Sequence, residues 1–307
     1  MEESYDDGDV RGRQSAEMPR SAALPVETRQ RAEPGPLHSR ARAPKTEVER
    51  LDPSAQPQLD RQAAFWDARS EDYPDPSTRE QMQRLLERLT RLPQEARPAA
   101  GLRLLDVGAG AGAISLHAAR AGAIVTALDV SSAMLRRLEA AGQKGIETLV
   151  ADWRAFDIDA AGFRRAFDLV YAQMVPSFRD VADFARFEAC SRGWCVFIGW
   201  GRERNDPWLE AAFAAHGVPW EVPAGVPLAV QQLAALGRAV RPAYWRETWT
   251  RRRSVAAAIG DAADHLLVRR AEPNRELLRA LGAKHSDADL IVDACEVEIG
   301  LLAWPVL

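Results

Sequence analysis

The sequence is short of cysteine, of long apolar runs and of positive charge in excess. Its three cysteines, Cys190, Cys195 and Cys295, form no CxxC pair. Three are too few for a disulfide framework or a zinc cluster, so they read as buried, reduced thiols. No apolar run approaches the roughly 20 residues that cross a bilayer. The opening Met1-Glu2-Glu3-Ser4-Tyr5-Asp6-Asp7 is acidic and lacks the apolar stretch of a secretory signal. A cytoplasmic location with no membrane partner is the expectation. With 40 Lys+Arg against 44 Asp+Glu, the formal net charge is −4. Dedicated nucleic-acid binders carry a basic excess, because phosphate neutralisation dominates their affinity. That class is disfavoured, and no nucleic-acid partner is expected.

What is present is ample apolar material. The chain has 307 residues, 47% of them hydrophobic, enough for one large domain or two small ones. Residues 1–56 are rich in Pro, Arg, Glu, Ser and Ala, with Tyr5 as the only aromatic residue. Such a segment buries too little apolar surface to offset its ordering entropy, and reads as a disordered tail. From Leu59 the pattern turns helical through Trp66, and Tyr73-Pro74-Asp75-Pro76 breaks it. Met82, Leu85, Leu86, Leu89 and Leu92 then recur at helical spacing. Beyond a proline-bounded linker at 93–98, short apolar runs alternate with helical ones. Strands are expected at 102–107, 123–128, 146–150, 167–172 and 194–198, with helices at 113–121 and 133–141. This alternation predicts βαβ units and a parallel sheet covered on both faces. After Gly201 the rhythm changes. Helices are expected at 207–216, 227–237, 255–269 and 275–281, and strands at 244–249 and 295–304.

The strongest chemical signal is Leu104-Leu105-Asp106-Val107-Gly108-Ala109-Gly110-Ala111-Gly112-Ala113. A strand runs into a glycine-rich turn and then a helix, whose free N–H groups face whatever sits at the turn. The looser GxGxxA form of the dinucleotide fingerprint fits these glycines. Asp106 discriminates, because a carboxylate at the mouth of the turn repels a pyrophosphate and suits a cationic ligand. Its structural alternative is a turn-capping carboxylate. Asp129 closes the next strand about twenty residues on, where an acid accepts hydrogen bonds from ribose hydroxyls. The alternative there is a helix N-cap shared with Ser131 or Ser132. Asp152 and Trp153 end the third strand, where an acid and an aromatic ring can bond and flank an adenine. An ordinary loop aspartate is the bland alternative, but this is the third acid at three successive strand ends. Such ends line the ligand crevice of open α/β sheets.

At these residues the sequence resembles the class I S-adenosylmethionine-dependent methyltransferases, over roughly positions 60–200. LLDVGAGAG is similar to their glycine-rich motif, TALDVS to their ribose motif, LVADW to their adenine motif and FDLVYAQMV to their fourth-strand motif. FWDARSEDYP is similar to the N-terminal helix that covers the cofactor in small-molecule members. The resemblance implies a three-layer αβα doubly wound Rossmann-like sheet of seven strands, mostly parallel with an antiparallel last strand, plus helical C-terminal additions. Residues 295–304 are the candidate for that last strand. The chain is thus expected to divide into a disordered tail at 1–56, an N-terminal helical cap at 57–100, a cofactor-binding core at 101–202, and substrate lid helices with the final strands of the sheet at 203–307. It implies S-adenosyl-L-methionine as cofactor. Asp106, Gly108, Ala109, Gly110 and Gly112 would hold the methionine portion. Asp129, with Val130 and Met134, would hold the ribose, and Asp152, with Trp153, the adenine. Gln173 and Met174 would face the cofactor from the fourth strand. Residues 205–292 depart from the compact family ending.

Ala172-Gln173-Met174-Val175-Pro176 stands where members that methylate amino groups of adenine or glutamine carry an Asn/Asp-Pro-Pro-aromatic motif, so those substrates are disfavoured. No catechol-type metal triad is present, and no metal is expected. The activity this implies is in-line methyl transfer to a small-molecule acceptor. Candidates for the acceptor pocket are Phe65, Trp66, Tyr73, Tyr171, Trp200 and Trp245, although core or interdomain packing is the commoner role for most such residues. Arg251-Arg252-Arg253 reads either as a contact for an anionic acceptor or RNA, or as a solvated turn before a helix. The rivals to this function are an RNA or protein methyltransferase, a non-catalytic cofactor-binding regulator and, further off, an NAD-dependent oxidoreductase.

Overall fold

The computed structural model describes residues 56–287 and 289–306, with side chains from Gln62 onward. The tail expected at 1–56 lies outside the described residues apart from Gln56, the first residue of helix α1 (Gln56–Arg69). Helix α2 (Arg79–Leu89) follows, started by Thr78, whose hydroxyl accepts the Gln81 N–H. A single 3₁₀ turn at Gln94–Ala96 lies in the expected linker.

The chain then alternates as anticipated: β1 (Arg103–Val107), α3 (Ala113–Arg120), β2 (Ile124–Asp129), α4 (Ser132–Ala140), β3 (Ile146–Val150) and β4 (Phe167–Gln173). Next comes α5 (Val181–Cys190), a helix that the sequence reading did not include. Its start is set by Asp180 and Asp183, which form a reciprocal capping box. The remaining elements are β5 (Ser191–Asn205), α6 (Pro207–Ala215), α7 (Val226–Ala235), β6 (Ala243–Ser254), α8 (Val255–Val268), α9 (Arg275–His285) and β7 (Leu290–Pro305).

These strands form one seven-stranded sheet in the order β3-β2-β1-β4-β5-β7-β6. Neighbours from β3 to β5 are parallel, and β7 runs antiparallel between β5 and β6. The expected antiparallel last strand is therefore present, inserted beside β5. β5, β6 and β7 all exceed their expected lengths, and β5 runs through positions 202 and 203, where a domain boundary was expected.

Alternate residues of each strand serve opposite faces. Leu104, Leu169, Val196 and Leu301 pack on one side with Leu85 and Leu89 of α2 and Ile114 and Ala118 of α3. Leu105, Val170, Phe197 and Leu302 pack on the other with Phe184 and Phe187 of α5 and Val226, Ala229 and Leu233 of α7. A separate core joins Trp208 and Phe213 of α6 to Ile259 and Leu266 of α8 and Leu278 of α9. All three cysteines are buried, and burial pushes the Cys190 thiol up to about 12. Among the described residues no helix is long and apolar enough to cross a membrane.

The expectation of a solvated turn at Arg251-Arg252-Arg253 fails, because these residues belong to β6. Arg251 and Arg253 share one face and pair with acids, Arg251 with Asp206 and Asp293, and Arg253 with Asp261 at 2.8 Å. The alternation of β6 hides this in a one-dimensional reading, since the partners come from distant segments.

On the same face, α2 is tied to β6 through Glu247. Its carboxylate accepts two bonds from the Arg88 guanidinium, at 2.9 and 2.7 Å, and one each from the indoles of Trp245 and Trp249, at 2.9 and 2.8 Å. Burial alone would raise its pKa, but Arg88 and the two indoles bring it down to about 2 from the usual 4.5. A depressed carboxyl stabilises the fold above its unfolded pKa and loses that contribution as pH falls through the folded value. Glu247→Gln is expected to lack a loss of roughly 3 kcal/mol that the native protein shows between those two pH values. Urea titrations across that window check it. Gly112 offers a second test. Its φ is +92°, and an added Cβ would stand 2.3 Å from Cδ1 of the buried Leu138. Gly112→Ala is expected to cost roughly 2–4 kcal/mol of unfolding free energy by urea titration, from backbone strain and overpacking together. Gly142→Ala, at φ +64° with open space around it, is expected to cost only about 1 kcal/mol.

Candidate cofactor and acceptor site

Parallel strands deliver their carboxyl ends to one edge of the sheet, and the cleft lies along that edge. It holds about 610 Å³ of space open to solvent. Its walls come from the ends of β1 to β4, the loop after β4, and helix α1.

The turn after β1 is stapled to β2, because the Gly108 and Ala109 N–H groups both donate to the Leu128 carbonyl, at 2.7 and 3.0 Å. Gly108 has φ +70°, and a Cβ on it would meet Val175 Cγ2 at 2.5 Å, so the loop after β4 sits directly against the turn. Asp129, only 8% exposed, joins the two sides. One carboxylate oxygen accepts the Gly110 N–H and the other the Ser131 N–H, each at 2.8 Å. Burial raises its pKa against these bonds. Ser131 in turn caps α4, accepting the Met134 N–H at 3.1 Å. The N-cap of α4 is therefore Ser131, while Asp129 holds that cap residue through its N–H and also lines the cleft.

Asp106 sits behind the turn. It is buried, and it accepts both the N–H and the hydroxyl of Ser115, at 3.1 and 2.7 Å, within the first turn of α3. Burial pushes its pKa up to about 7 in spite of those bonds. The carboxyl supports the turn and is not among the groups that line the cleft, and neither are Ala109 and Gly112. Gly108, Gly110, Asp129, Val130, Met134, Asp152, Trp153, Gln173 and Met174 are brought together there.

At the β3 end, one Asp152 oxygen accepts the Arg154 N–H, and burial raises the pKa of its carboxyl. Trp153 stacks on Phe178, with centroids 5.9 Å apart. At the β4 end, Met174 has φ +57°, an uncommon value for a residue with a side chain, and its N–H is fixed on the Ile198 carbonyl at 2.7 Å. Asp152 Oδ2, Trp153 Nε1 and Gln173 Oε1 are buried without a hydrogen-bond partner among the described residues. The other such side-chain atoms are all arginine Nε. A buried polar atom without a partner is costly, and a set of them at one cleft is what a hydrogen-bonding ligand would satisfy. These two acceptors and one donor, beside the Asp129 carboxylate, suit a cationic nucleoside better than a pyrophosphate.

Of the aromatic candidates, Trp66 and Tyr73 line the cleft and meet edge-on, 6.4 Å apart. Tyr171 does not. It is wholly buried, and its hydroxyl donates to the Ala96 carbonyl. Trp200 packs on Trp249 and under the Arg204 guanidinium, away from the cleft lining. Phe65 faces His265, and Trp245 is bonded to Glu247. The sequence reading missed Gln62, Leu128, Ala151, Val175, Pro176 and Ser177 as lining residues. Only Gln62 had a usable signal, since it lies one helical turn before Trp66.

Residues 104–192 match a family model described as a methyltransferase domain. No curated protein matches the sequence significantly. The chain is similar to several solved structures. One is a SAM-dependent methyltransferase from Aquifex aeolicus, at 14% identity and TM-score 0.45, covering 78% of this chain and 98% of that one. DhpI in complex with SAH has 14% identity and TM-score 0.45, covering 80% and 96%. The cyclopropane synthase MmaA2 from Mycobacterium tuberculosis has 16% identity and TM-score 0.42, covering 73% and 84%. Likenesses at this distance have no bearing on the substrate. The domain match spans β1 to the start of β5, the stretch that builds the cleft, so the part of this chain that forms the cleft is similar to a methyltransferase domain.

Proposed function

We propose that the protein methylates a small-molecule acceptor, and that the residues at the carboxyl edge of β1 to β4 hold the cofactor. The reading is carried by the unpartnered buried atoms of Asp152, Trp153 and Gln173, set at the same edge as Asp129. Asp129 would accept the ribose hydroxyls, with Val130 and Met134 beside it. Asp152 Oδ2 would accept the adenine amine next to Trp153. The Gly108–Gly112 turn would receive the methionine portion, backed by Asp106 through Ser115, with Gln173 and Met174 completing the wall.

S-adenosylmethionine supplies a methyl group already activated on a sulfonium. The chain's own task is to bind, align and keep water out, and alignment alone can supply roughly 7–11 kcal/mol. Trp66 and Tyr73 at the mouth offer flat apolar faces to the acceptor. Segments 57–100 and 203–307 would then act as the cap and the substrate side around a core at 101–202. A net charge of −4 favours a small acceptor over RNA, and a cytoplasmic setting fits this reading.

Calorimetric titration with S-adenosylmethionine, S-adenosylhomocysteine and NAD tests the site. Micromolar binding of the two sulfur nucleosides and none of NAD is expected. Asp129→Ala should weaken both roughly 10–100-fold, the range for losing hydrogen bonds to a charged group. An unchanged affinity in a folded Asp129→Ala protein would remove Asp129 from the site.

A further inference from the structure

Three carboxyl groups gather around the glycine turn, and the groups bonded to them bring no full positive charge. Asp106 accepts from Ser115, Asp129 from Gly110 and Ser131, and Asp67 from Ser131 and Ala133. Every one of these donors is a neutral N–H or hydroxyl. The N-termini of α3 and α4 lend only about half a charge each.

Asp106 is the most enclosed of the three, at 2% exposure. On β1 it stands in register with Ala127 of β2 and Tyr171 of β4, and Ser115 of α3 bonds to it. Both Ser115 bonds fall on Oδ2, and Oδ1 has no donor among the described residues. Tyr171 stays neutral, because burial pushes its phenol up. Arg97, beyond Tyr171, is engaged by the Thr90 and Leu92 carbonyls. The charged group that bears on Asp106 is Asp129, which repels a second negative charge. Burial and this repulsion, against the Ser115 bonds, put the Asp106 pKa at about 7. A carboxyl held there gains or loses its proton on a small change in nearby charge.

Cofactor and product differ by one charge at sulfur. Methyl transfer breaks the methyl–sulfur bond and leaves its electron pair on sulfur, so a sulfonium becomes a neutral thioether. The methyl bonds to the acceptor, which then carries the positive charge or sheds it as a proton to solvent. We propose that Asp106 distinguishes the cofactor from its demethylated product, giving up its proton more readily with the sulfonium bound than with the thioether. The proposal rests on the reading of the cleft as the cofactor site. Asp106 acts through its charge from behind the turn and does not line the cleft. When ionised it attracts a sulfonium and is indifferent to a thioether. When protonated, below its pKa, it favours neither. The preference for the cofactor therefore grows as pH rises through 7.

Calorimetric titrations of the full chain with S-adenosylmethionine and S-adenosylhomocysteine at pH 6, 7 and 8 read the ratio of their affinities. A roughly tenfold weaker hold on the Asp106 proton with the sulfonium bound makes that ratio rise about fivefold from pH 6 to pH 8. Titration in two buffers of different protonation enthalpy should show more proton release with S-adenosylmethionine than with S-adenosylhomocysteine. Asp106→Asn has the same shape and cannot titrate, so its ratio should stay flat. Ser115→Ala loses a bond that favours the charged carboxyl, so its rise should move to higher pH. A purely structural Asp106 would instead weaken both nucleosides equally at every pH in Asp106→Asn. That result, or a rise that persists in Asp106→Asn, overturns the proposal. Should Asp106→Asn not fold, Ser115→Ala decides, and a midpoint that does not move overturns it. Failure of the native protein to bind either nucleoside overturns the cofactor-site reading, and this role with it. Binding of both with a ratio independent of pH overturns this role alone.

Discussion

One carboxylate, that of Asp129, holds the cleft in shape. It accepts the Gly110 N–H from the turn after β1 and the Ser131 N–H at the start of α4. The turn and the helix are separate in sequence, and each leaves backbone donors without intrinsic partners. A single buried acid at the end of β2 satisfies both. It therefore links the β1 turn to the N-terminus of α4, both of which border the cleft. Ser131 extends the link to Asp67, and so to α1, so the floor and one wall of the cleft share a hydrogen-bond chain.

The acids at the strand ends do different jobs because their surroundings differ. Asp106 faces Ser115 behind the turn, has its donors supplied from α3, and serves as a support. Asp152 has one oxygen engaged by its own loop and one left over. Gln173 likewise keeps an unpartnered oxygen beside Met174, whose left-handed backbone is pinned by β5. Among the described residues, these unpaired acceptors gather at one edge of the sheet, where a hydrogen-bonding ligand would satisfy them.

Far from the cleft the same chemistry does structural work. Glu247 collects four donors between α2 and β6, and Glu188 binds Arg238 and the Trp304 indole between α5 and β7. These carboxylates tie the long antiparallel strands to the parallel core. Glu247 also explains why Trp245, which looks like a pocket residue in sequence, is a packing residue in the fold, and Trp200 packs on Trp249, which the same carboxylate holds.

The sequence by itself determined the parallel half of the sheet, the glycine turn, and the run of acids at strand ends. Each rests on local information: apolar runs of strand length, closely spaced glycines, and an acid at or within two residues of a strand end. It also marked Trp66 and Tyr73, which flank a helix end and a proline turn. Helix α5 was legible in principle from Asp180 and Asp183, but its apolar spacing is diluted by alanines. The tertiary structure alone decided the placement of β7 between β5 and β6, and the pairing of Arg251 and Arg253 with distant acids. It alone separated Asp106 and Tyr171, turned into the core, from Asp152 and Gln173, left open at the edge. The reason is geometric. Successive strand residues point to opposite faces, and which face holds a partner depends on segments tens of residues away.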